Sequence, residues 1–183
     1  MDNERDWHLV ACAQAGDMNA FAELVRYYQT PVVHFCHRML GSTQDAEDVA
    51  QETFVRVFRH LPRLKPDAKF STFLFTIARN LSLNAVRDSR KHRHEEVSAQ
   101  MTSKTSGPDG NARIREAQDL IERALATLSP DHREVLLLRE VHGMDYDEIA
   151  RVVACRTGTV KSRLARAREQ LRIQLTTLSG GEL

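Results

Sequence analysis

The chain has 183 residues, 42% of them hydrophobic, and a formal net charge of +1. This length and composition allow one globular domain or two small ones, and the balanced charge excludes a uniformly basic protein. No apolar run approaches the roughly 18 residues of a membrane span and no secretory signal is present, so we expect no direct membrane insertion. The cysteines, Cys12, Cys36 and Cys155, are scattered and odd in number, which argues against a disulfide framework and favours a reducing, cytoplasmic location.

The periodicity of apolar residues is helical along the chain and predicts an all-α fold. In the first part we predict helices at about residues 4–15, 18–40, 43–61 and 70–92, the second of them bent near Pro31. Residues 95–111 are polar, contain glycine and proline and have almost no large apolar side chain, which predicts a flexible linker. This linker would divide the chain into two small helical domains, residues 1–94 and 112–183.

Charge is separated into blocks along these elements. Residues 42–53 carry four acids and no base, whereas residues 79–93 carry five basic residues against one acid. Residues 151–172 are the most basic, with seven arginines or lysines against one glutamate. A near-neutral chain with separated blocks of opposite sign is expected to bind two kinds of partner at different places.

The acidic block lies on the helix predicted from about residue 43. Its inner side is expected to be Ala46, Val49, Ala50, Thr53 and Val57. Asp45, Asp48 and Glu52 then share an outer side, at spacings of three and four. Acids in the first turn complement the helix dipole, but Glu52 lies beyond that turn. Like charges at these spacings cost a few tenths of a kcal/mol, so the stripe suggests a basic partner, although an ordinary solvated face explains the composition equally well.

The helix predicted from Phe70 has two distinct sides. Its core side is expected to be Phe70, Leu74, Ile77, Leu81 and Ala85. About a quarter-turn away lie an aromatic, two amides and two cations, namely Phe73, Asn80, Asn84, Arg87 and Lys91. Such a face suits opened DNA, because bases stack on rings, amides bond base edges and cations neutralise phosphates. A polar helix face with one exposed phenylalanine remains the alternative.

The second domain is predicted to be a bundle of helices at about residues 112–128, 130–142, 146–153 and 157–178. Its core is expected to begin with Ile114, Ala117, Ile121, Leu125 and Leu128. Ser129 and Pro130 predict a capped helix start, and Gly143 predicts a left-handed helix end. Asp145 and Glu148 have the spacing of a capping box.

The last two helices have the pattern of a helix-turn-helix. Thr157 can cap the second of them, whose apolar stripe is Val160, Leu164, Ala167, Leu171, Leu175 and Leu178. The opposite side carries Lys161, Ser162, Ala165 and Arg166. A helix that is buried on one side and rich in donors on the other is built to enter a major groove.

Other classes of protein fit less well. No phosphate-binding glycine loop, nucleophile elbow or His-Glu-x-x-His sequence is present, so we expect no enzyme, no cofactor and no small-molecule substrate. His34, Cys36 and His37 are close in sequence, but helical neighbours two apart point in different directions, which disfavours a metal site. A stand-alone helix-turn-helix regulator remains an alternative, although a response regulator would need the strands of an α/β receiver.

Three ordered motifs carry a family resemblance. They are residues 45–54 (DAEDVAQETF), residues 70–80 (FSTFLFTIARN) and residues 158–163 (GTVKSR). Together the chain resembles the extracytoplasmic-function (ECF) branch of the bacterial sigma-70 family. The resemblance implies a sigma factor that binds core RNA polymerase and promoter DNA through a region 2 domain (residues 1–94) and a region 4 domain (residues 112–183). It further implies an anti-sigma factor as a masking partner.

The resemblance also implies roles for individual residues. The clamp coiled coil of the largest polymerase subunit would be bound by Asp45, Asp48, Gln51 and Glu52. The −10 element would be melted and recognised by Arg63, Lys65, Lys69, Phe73, Asn80, Asn84, Arg87 and Lys91. The −35 major groove would be occupied by Arg156, Thr159, Lys161, Ser162, Ala165 and Arg166.

The chain departs from the family pattern at three places. Phe73 stands where tryptophan is frequent, Asn84 stands where aspartate is frequent, and residues 154–157 (ACRT) lack the usual glycine and proline of the turn. The first two departures bear on −10 recognition, and the third bears on the −35 register.

Overall fold

The computed structural model describes residues 3–95 and 112–178, and no strand occurs in these two ranges. The first range contains α1 (Asn3–Gln14), α2 (Met18–Leu40), α3 (Thr43–His60), a 3-10 turn (Leu61–Arg63) and α4 (Phe70–Glu95). The second contains α5 (Ala112–Ala126), α6 (Pro130–Leu136) with a π-helical extension (Leu137–Val141), α7 (Tyr146–Val152) and α8 (Thr157–Leu178). The predicted all-α fold is confirmed. We call the two ranges the N-terminal half and the C-terminal half; the predicted linker falls mainly on residues 96–111, outside the described residues.

The predicted helix signals act as expected at most ends. The Ser129 hydroxyl accepts a hydrogen bond from the His132 backbone N–H at the start of α6. Asp145 and Glu148 form the predicted capping box of α7, and the backbone N–H of Glu148 helps to lower the pKa of Asp145. Gly143 has the left-handed φ of 65° expected after α6. Helix α2 runs from Met18 to Leu40 with Pro31 inside it.

The N-terminal half is built around α2, which packs against α1, α3 and α4. Its largest fully buried side chains include Tyr28, Phe35, Phe70 and Phe75. Edge-to-face contacts join Tyr28 to Phe70 and Phe35 to Phe75, with ring centroids 5.4 Å and 5.5 Å apart. Such aromatic pairs contribute beyond the area they bury, so they fix how α4 lies on α2.

The C-terminal half differs from the predicted core at α5. Leu125 and Leu128 are buried as predicted, but Ala117 is exposed and Ile121 is 44% exposed. The side chain of Ile114 lies outside the described residues. Among the described side chains of α5, full burial begins only at Ala124. The rest of this core is supplied by α6, α7 and the Val160, Leu164, Ala167 side of α8.

The two halves pack directly against each other. The Arg79 guanidinium on α4 donates to both Glu134 carboxylate oxygens on α6, over 2.7 Å and 3.0 Å. The His142 ring, just after α6, lies 4.3 Å from the Phe75 ring of α4, measured between centroids. The described chain therefore has a closed arrangement, in which α4 is covered on one side by α2 and on another by the C-terminal half.

This second cover explains why the predicted core side of α4 is incomplete. Phe70 and Leu74 are buried as predicted, whereas Ile77, Leu81 and Ala85 are half-buried. The helix also buries a set of residues outside the predicted stripe: Ser71, Thr72, Phe75, Ala78 and Ser82. A single-stripe periodicity cannot anticipate a helix with two buried sides.

The turn between α7 and α8 is made without glycine. Ala154 takes a left-handed φ of 51°, a conformation that usually selects glycine. Thr157 is the first residue of α8 rather than its cap, and its hydroxyl donates to the Asp147 carboxylate over 2.8 Å. The turn therefore has the shape that a helix-turn-helix needs, and a bond between side chains ties α8 to α7.

We expect Ala154→Gly to raise the free energy of unfolding by about 1 kcal/mol, because it removes the Cβ that penalises a left-handed backbone. The matched control is Ala165→Gly on the exposed face of α8, which should lower that free energy by about 1 kcal/mol. Urea unfolding of both variants measures the difference. A loss of stability in both would contradict the interpretation of the turn.

Candidate functional site

The acidic stripe predicted on α3 is present and faces outward. Asp45, Asp48 and Gln51 are exposed, while Ala46, Ala50, Thr53 and Val57 are buried on the opposite side. Glu52 is half-exposed and accepts a hydrogen bond from Arg56, one turn later, over 2.8 Å. Arg56 therefore offsets part of the repulsion among these acids. It lies outside residues 42–53 and so was not counted with the acidic block.

A groove between α2 and α3 runs beside the stripe. It encloses a volume of about 1030 Å³, and its lining includes Glu47 and Gln51 from the edge of the stripe. The apolar lining residues include Met18, Val55 and Phe58, which are 52%, 36% and 44% exposed. Large exposed apolar side chains that line one groove mark a surface for a partner. The sequence analysis missed this groove because its walls come from two helices.

The predicted DNA face of α4 is only partly open. Asn80, Asn84 and Arg87 are exposed, but Phe73 is half-buried and packs edge-on against the His60 ring, with centroids 6.3 Å apart. The Asn80 side-chain oxygen accepts a hydrogen bond from Arg79 over 3.1 Å. The side chain of Lys91 lies outside the described residues. The amides and Arg87 thus form an accessible row, with the Phe73 ring at its inner end.

The segment before α4 carries the predicted basic residues Arg63, at the end of the 3-10 turn, and Lys65 and Lys69, in the loop that follows, and all three are exposed. The Lys69 ammonium is paired with the Glu148 carboxylate of α7 over 2.8 Å. That hydrogen bond raises the pKa of Lys69. In the closed arrangement this cation is therefore occupied by the C-terminal half instead of facing solvent freely.

The predicted surface of α8 is the most complete of the three. Arg156, Lys161, Ser162, Ala165 and Arg166 are exposed and Thr159 is half-buried. The Ser162 hydroxyl donates to the Thr159 carbonyl over 3.0 Å, and the Lys161 ammonium lies 5.8 Å from the centre of the Tyr146 ring. On the opposite side of α8, Val160, Leu164 and Ala167 are buried, whereas Leu171 and Leu175 are half-buried and Leu178 is exposed. The buried first part anchors the helix, so it can present these groups to a groove without unfolding.

Arg163 differs from its basic neighbours because it points inward. Its guanidinium lies 2.6 Å from the Asp131 carboxylate and 3.7 Å from that of Glu134. Glu134 is fully buried and also holds Arg79. Burial raises the pKa of Glu134, while the two arginines act in the opposite direction. Three helices therefore meet at one carboxylate, which the sequence analysis missed because no local pattern marks it.

His142 is the second group that the sequence analysis missed. Its ring packs against Phe75 and Phe35, and its Nε2 is buried without a hydrogen-bond partner. Burial, with contributions from the nearby charges of Arg38 and His34, lowers the pKa of His142 to about 4. The closed arrangement therefore holds this imidazole in its neutral form.

A metal site needs a cluster of ligating side chains, and a membrane span needs a long apolar helix. Within residues 3–95 and 112–178, no cluster of three histidine, cysteine, aspartate or glutamate residues could hold a metal ion. Cys36 is fully buried, where burial raises its pKa to about 11, so its thiol is not placed to join the neighbouring histidines in binding a metal. None of the helices in these ranges is long and apolar enough to cross a bilayer.

Comparisons with known proteins agree on one family. The family model for sigma-70 region 2 matches residues 24–92, and that for sigma-70 region 4 matches residues 118–171. The ECF RNA polymerase sigma factor SigW of Bacillus subtilis is 31% identical, over 89% of this chain and 92% of the relative. The RNA polymerase sigma-H factor of Pseudomonas aeruginosa is 34% identical, over 93% of this chain and 94% of the relative.

A solved structure has the same architecture. CnrH, determined in complex with the cytosolic domain of CnrY, is 26% identical to this chain and superposes with a TM-score of 0.74. The match covers 94% of this chain and 98% of CnrH.

We expect the closed arrangement to weaken as the pH falls from about 6.5 towards about 4. Once the halves separate, His142 regains its ordinary pKa near 6.5, whereas in the closed form its pKa is about 4. Between these two pH values the separated form binds a proton that the closed form does not, so lowering the pH favours separation. The raised pKa of Glu134 acts in the opposite direction, because its protonation favours burial as the pH falls.

His142→Phe separates the two effects, since it keeps a ring against Phe75 and removes the titrating group. Energy transfer between dyes on α1 and α8 is recorded from pH 7.5 to pH 4.5, with circular dichroism as the control for unfolding. Over this range the halves of the variant should separate less than those of the unmodified protein. An identical pH response in both proteins would contradict the role of His142.

Proposed function

The chain belongs to the extracytoplasmic-function branch of the sigma-70 family of RNA polymerase sigma factors, and on that premise we propose how its surfaces divide the work of starting transcription. In this division α3 binds core RNA polymerase, α4 and the loop before it open and recognise the −10 element, and α8 occupies the −35 major groove. The domain limits that we propose are residues 1–94 and 112–183. We further propose that the protein has no catalytic activity of its own and works in the cytoplasm, where core polymerase and promoter DNA are found.

The observation that carries this proposal is the geometry of α8. One side of the helix is buried in the C-terminal half, and the other presents the Ser162 hydroxyl and the cations Lys161 and Arg166, with Arg156 just before the helix. The first helix, α7, is fixed to it by the bond between Thr157 and Asp147 and by a shared core. This is the construction of a helix that is held rigidly by a small bundle and inserted into a major groove.

The proposed polymerase surface combines the acidic stripe with the adjoining groove. Acids favour a basic partner and steer its approach, while the apolar groove supplies area that water leaves on binding. The resemblance implies the clamp coiled coil of the largest polymerase subunit as the partner, and the acidic stripe calls for basic residues on the edge of the coiled coil that contacts it. On this proposal, Met18, Val55 and Phe58 are exposed in the free protein and become buried when polymerase binds.

Both DNA surfaces cannot be used together in the closed arrangement. About 25 base pairs separate positions −35 and −10, and at about 3.4 Å per base pair this is roughly 85 Å of DNA. A compact chain of this length is only about 40 Å across. We therefore propose that the halves separate on polymerase, breaking the Arg79–Glu134 and Lys69–Glu148 pairs and freeing Arg79 and Lys69.

A masking partner is supported by the same surfaces. In the free protein, the groove and the basic faces are not covered by polymerase or DNA, so they are available to another partner. The related CnrH was solved in complex with the cytosolic domain of CnrY. We propose an anti-sigma factor that covers the α2–α3 groove. A pull-down from uninduced cells tests this, and recovery with polymerase as the sole stoichiometric partner would favour control by synthesis.

The central experiment is transcription from a double-stranded promoter by core polymerase with and without the purified protein. Within it, Asp48→Lys with Glu52→Lys should weaken binding to core polymerase by at least about tenfold, because opposite charges become like charges at the interface. Stability should change little, since an exposed pair such as Glu52–Arg56 contributes only about 0–1 kcal/mol. The matched control is Glu116→Lys, an exposed acid on α5. Equal affinity of all three proteins for polymerase would exclude α3 as the binding surface.

Arg166→Ala should relax sequence preference at one or two base pairs of the −35 element. A side chain that pairs with a base edge contributes about 1–3 kcal/mol of discrimination, whereas a phosphate contact affects all sequences alike. Arg172→Ala is the control, because Arg172 is exposed on the same helix but is paired with Glu169 over 2.7 Å. Binding to a library of −35 sequences measures both variants. If Arg166→Ala lowers affinity equally on every sequence, Arg166 contacts phosphate only.

A further inference from the structure

The loop between the 3-10 turn and α4 (residues 64–69) is held from outside by α1. The Gln14 side-chain amide donates to the backbone carbonyls of Leu61 and Leu64, over 2.8 Å and 3.0 Å. The Trp7 indole N–H donates to the Ala68 carbonyl over 3.0 Å. Side chains seven residues apart lie on the same face of a helix, so α1 contacts the loop at its beginning and at its end along a single face.

Besides α1, the loop is held by the pair between Lys69 and Glu148 of α7, which is broken when the halves separate as proposed. The loop contains no regular structure, and Pro66 within it, like Pro62 in the preceding 3-10 turn, has no backbone N–H to donate. Its backbone carbonyls therefore need donors from elsewhere. The α1 side chains supply them at Leu64 and Ala68, and at Leu61 just before the loop, while Lys65 is exposed and Lys69 is paired with Glu148.

Helix α1 is itself fixed to the rest of the N-terminal half. The Tyr28 hydroxyl donates to the buried Asp6 carboxylate, and Val10 and Ala13 are buried. The Trp7 ring packs edge-on against Phe70, the first residue of α4, with centroids 6.4 Å apart. The loop is thus positioned relative to α4 through α1, which lies outside the residues that match the region 2 family model, 24–92.

We propose that Gln14 and Trp7 are positioning residues for promoter recognition: they hold the 64–69 loop in the shape that recognises the −10 element. The proposal rests on the assignment of this loop to the −10 element, and it adds a requirement that the assignment does not contain. A base-recognising loop must be held to within a fraction of an ångström, and the supporting shell of side chains provides that precision. Loosening the loop should reduce discrimination between −10 sequences more than it reduces total activity.

The experiment uses the full-length protein with core polymerase on a preferred −10 promoter and on single-base variants of it. Gln14→Met keeps the length of the side chain and removes its donor; Trp7→Phe keeps an aromatic ring and removes the indole N–H. Each should lower the ratio of transcription between preferred and variant promoters by about 3- to 10-fold, which is part of the discrimination that a base contact provides. Gln14→Lys restores donors at similar reach and should recover part of that ratio.

The matched control is Arg5→Ala, which removes the pair between α1 and Glu23 of α2 without touching the loop. It tests whether weaker docking of α1 is sufficient to produce the effect. If Gln14→Met and Trp7→Phe scale transcription equally on every promoter and leave the ratio unchanged, α1 is merely structural and the inference is overturned.

A second arm distinguishes that failure from failure of the −10 assignment. Lys65→Ala in the loop and the double change Asn80→Ala with Asn84→Ala on α4 alter the proposed contacts directly. A changed ratio in these variants together with an unchanged ratio in the α1 variants overturns the α1 inference alone. An unchanged ratio in the loop and α4 variants overturns the −10 assignment and the α1 inference with it.

Discussion

The buried carboxylate of Glu134 is the constraint on which the arrangement of this sigma factor depends. A carboxylate enclosed in a low-dielectric interior is costly unless cations and donors compensate it. Here the compensation comes from two other helices, with Arg79 of α4 in direct contact and Arg163 of α8 nearby. The helix proposed to meet the −10 element and the helix proposed to meet the −35 element are therefore both oriented by a single residue of α6.

Separation of the halves has a defined electrostatic consequence at this carboxylate. It removes Arg79 and leaves Glu134 with Arg163, so water must reach the carboxylate to replace the lost hydrogen bonds. Arg79 then stands next to Asn80, on the face proposed for opened DNA, where a phosphate can replace Glu134 as its anionic partner. The same guanidinium would serve the closed form in one state and promoter DNA in the other, which makes exchange between the two states less costly than the loss of a buried pair suggests.

Much of the fold follows from local sequence, and most of what was missed does not. The period of apolar residues and the capping residues Ser129, Gly143 and Asp145 predicted the helices and several of their ends, because these signals act within one or two turns. The prediction failed at Ala117 and Ile121 of α5, because helical periodicity marks an apolar stripe but not how much of that stripe a partner covers. It also missed the second buried side of α4, since that side depends on contacts with distant parts of the chain, such as those of Phe75 with Phe35 and with His142.

The candidate site divides in the same way. Exposure of the predicted groups on α3 and α8 follows from helical geometry, so Asp48 and Arg166 could be placed outward from spacing alone. Glu134, His142 and the α2–α3 groove are products of tertiary contact, and no single helix shows them. Gln14 is similar, because an ordinary polar residue at the end of a helix has no sequence signal that it holds a loop near residue 64.

In the separated form that we propose, the interval between Glu95 and Ala112 would act as a short tether and the protein would bind as a bivalent ligand. Sixteen residues separate these helix ends, and a fully extended chain covers at most about 3.5 Å per residue, which limits the reach to about 60 Å. Once one half is engaged, the other searches a confined volume at an effective concentration that can reach the millimolar range. Weak individual contacts can then combine into firm binding, but only where the spacing of the two DNA elements falls within the reach of the tether.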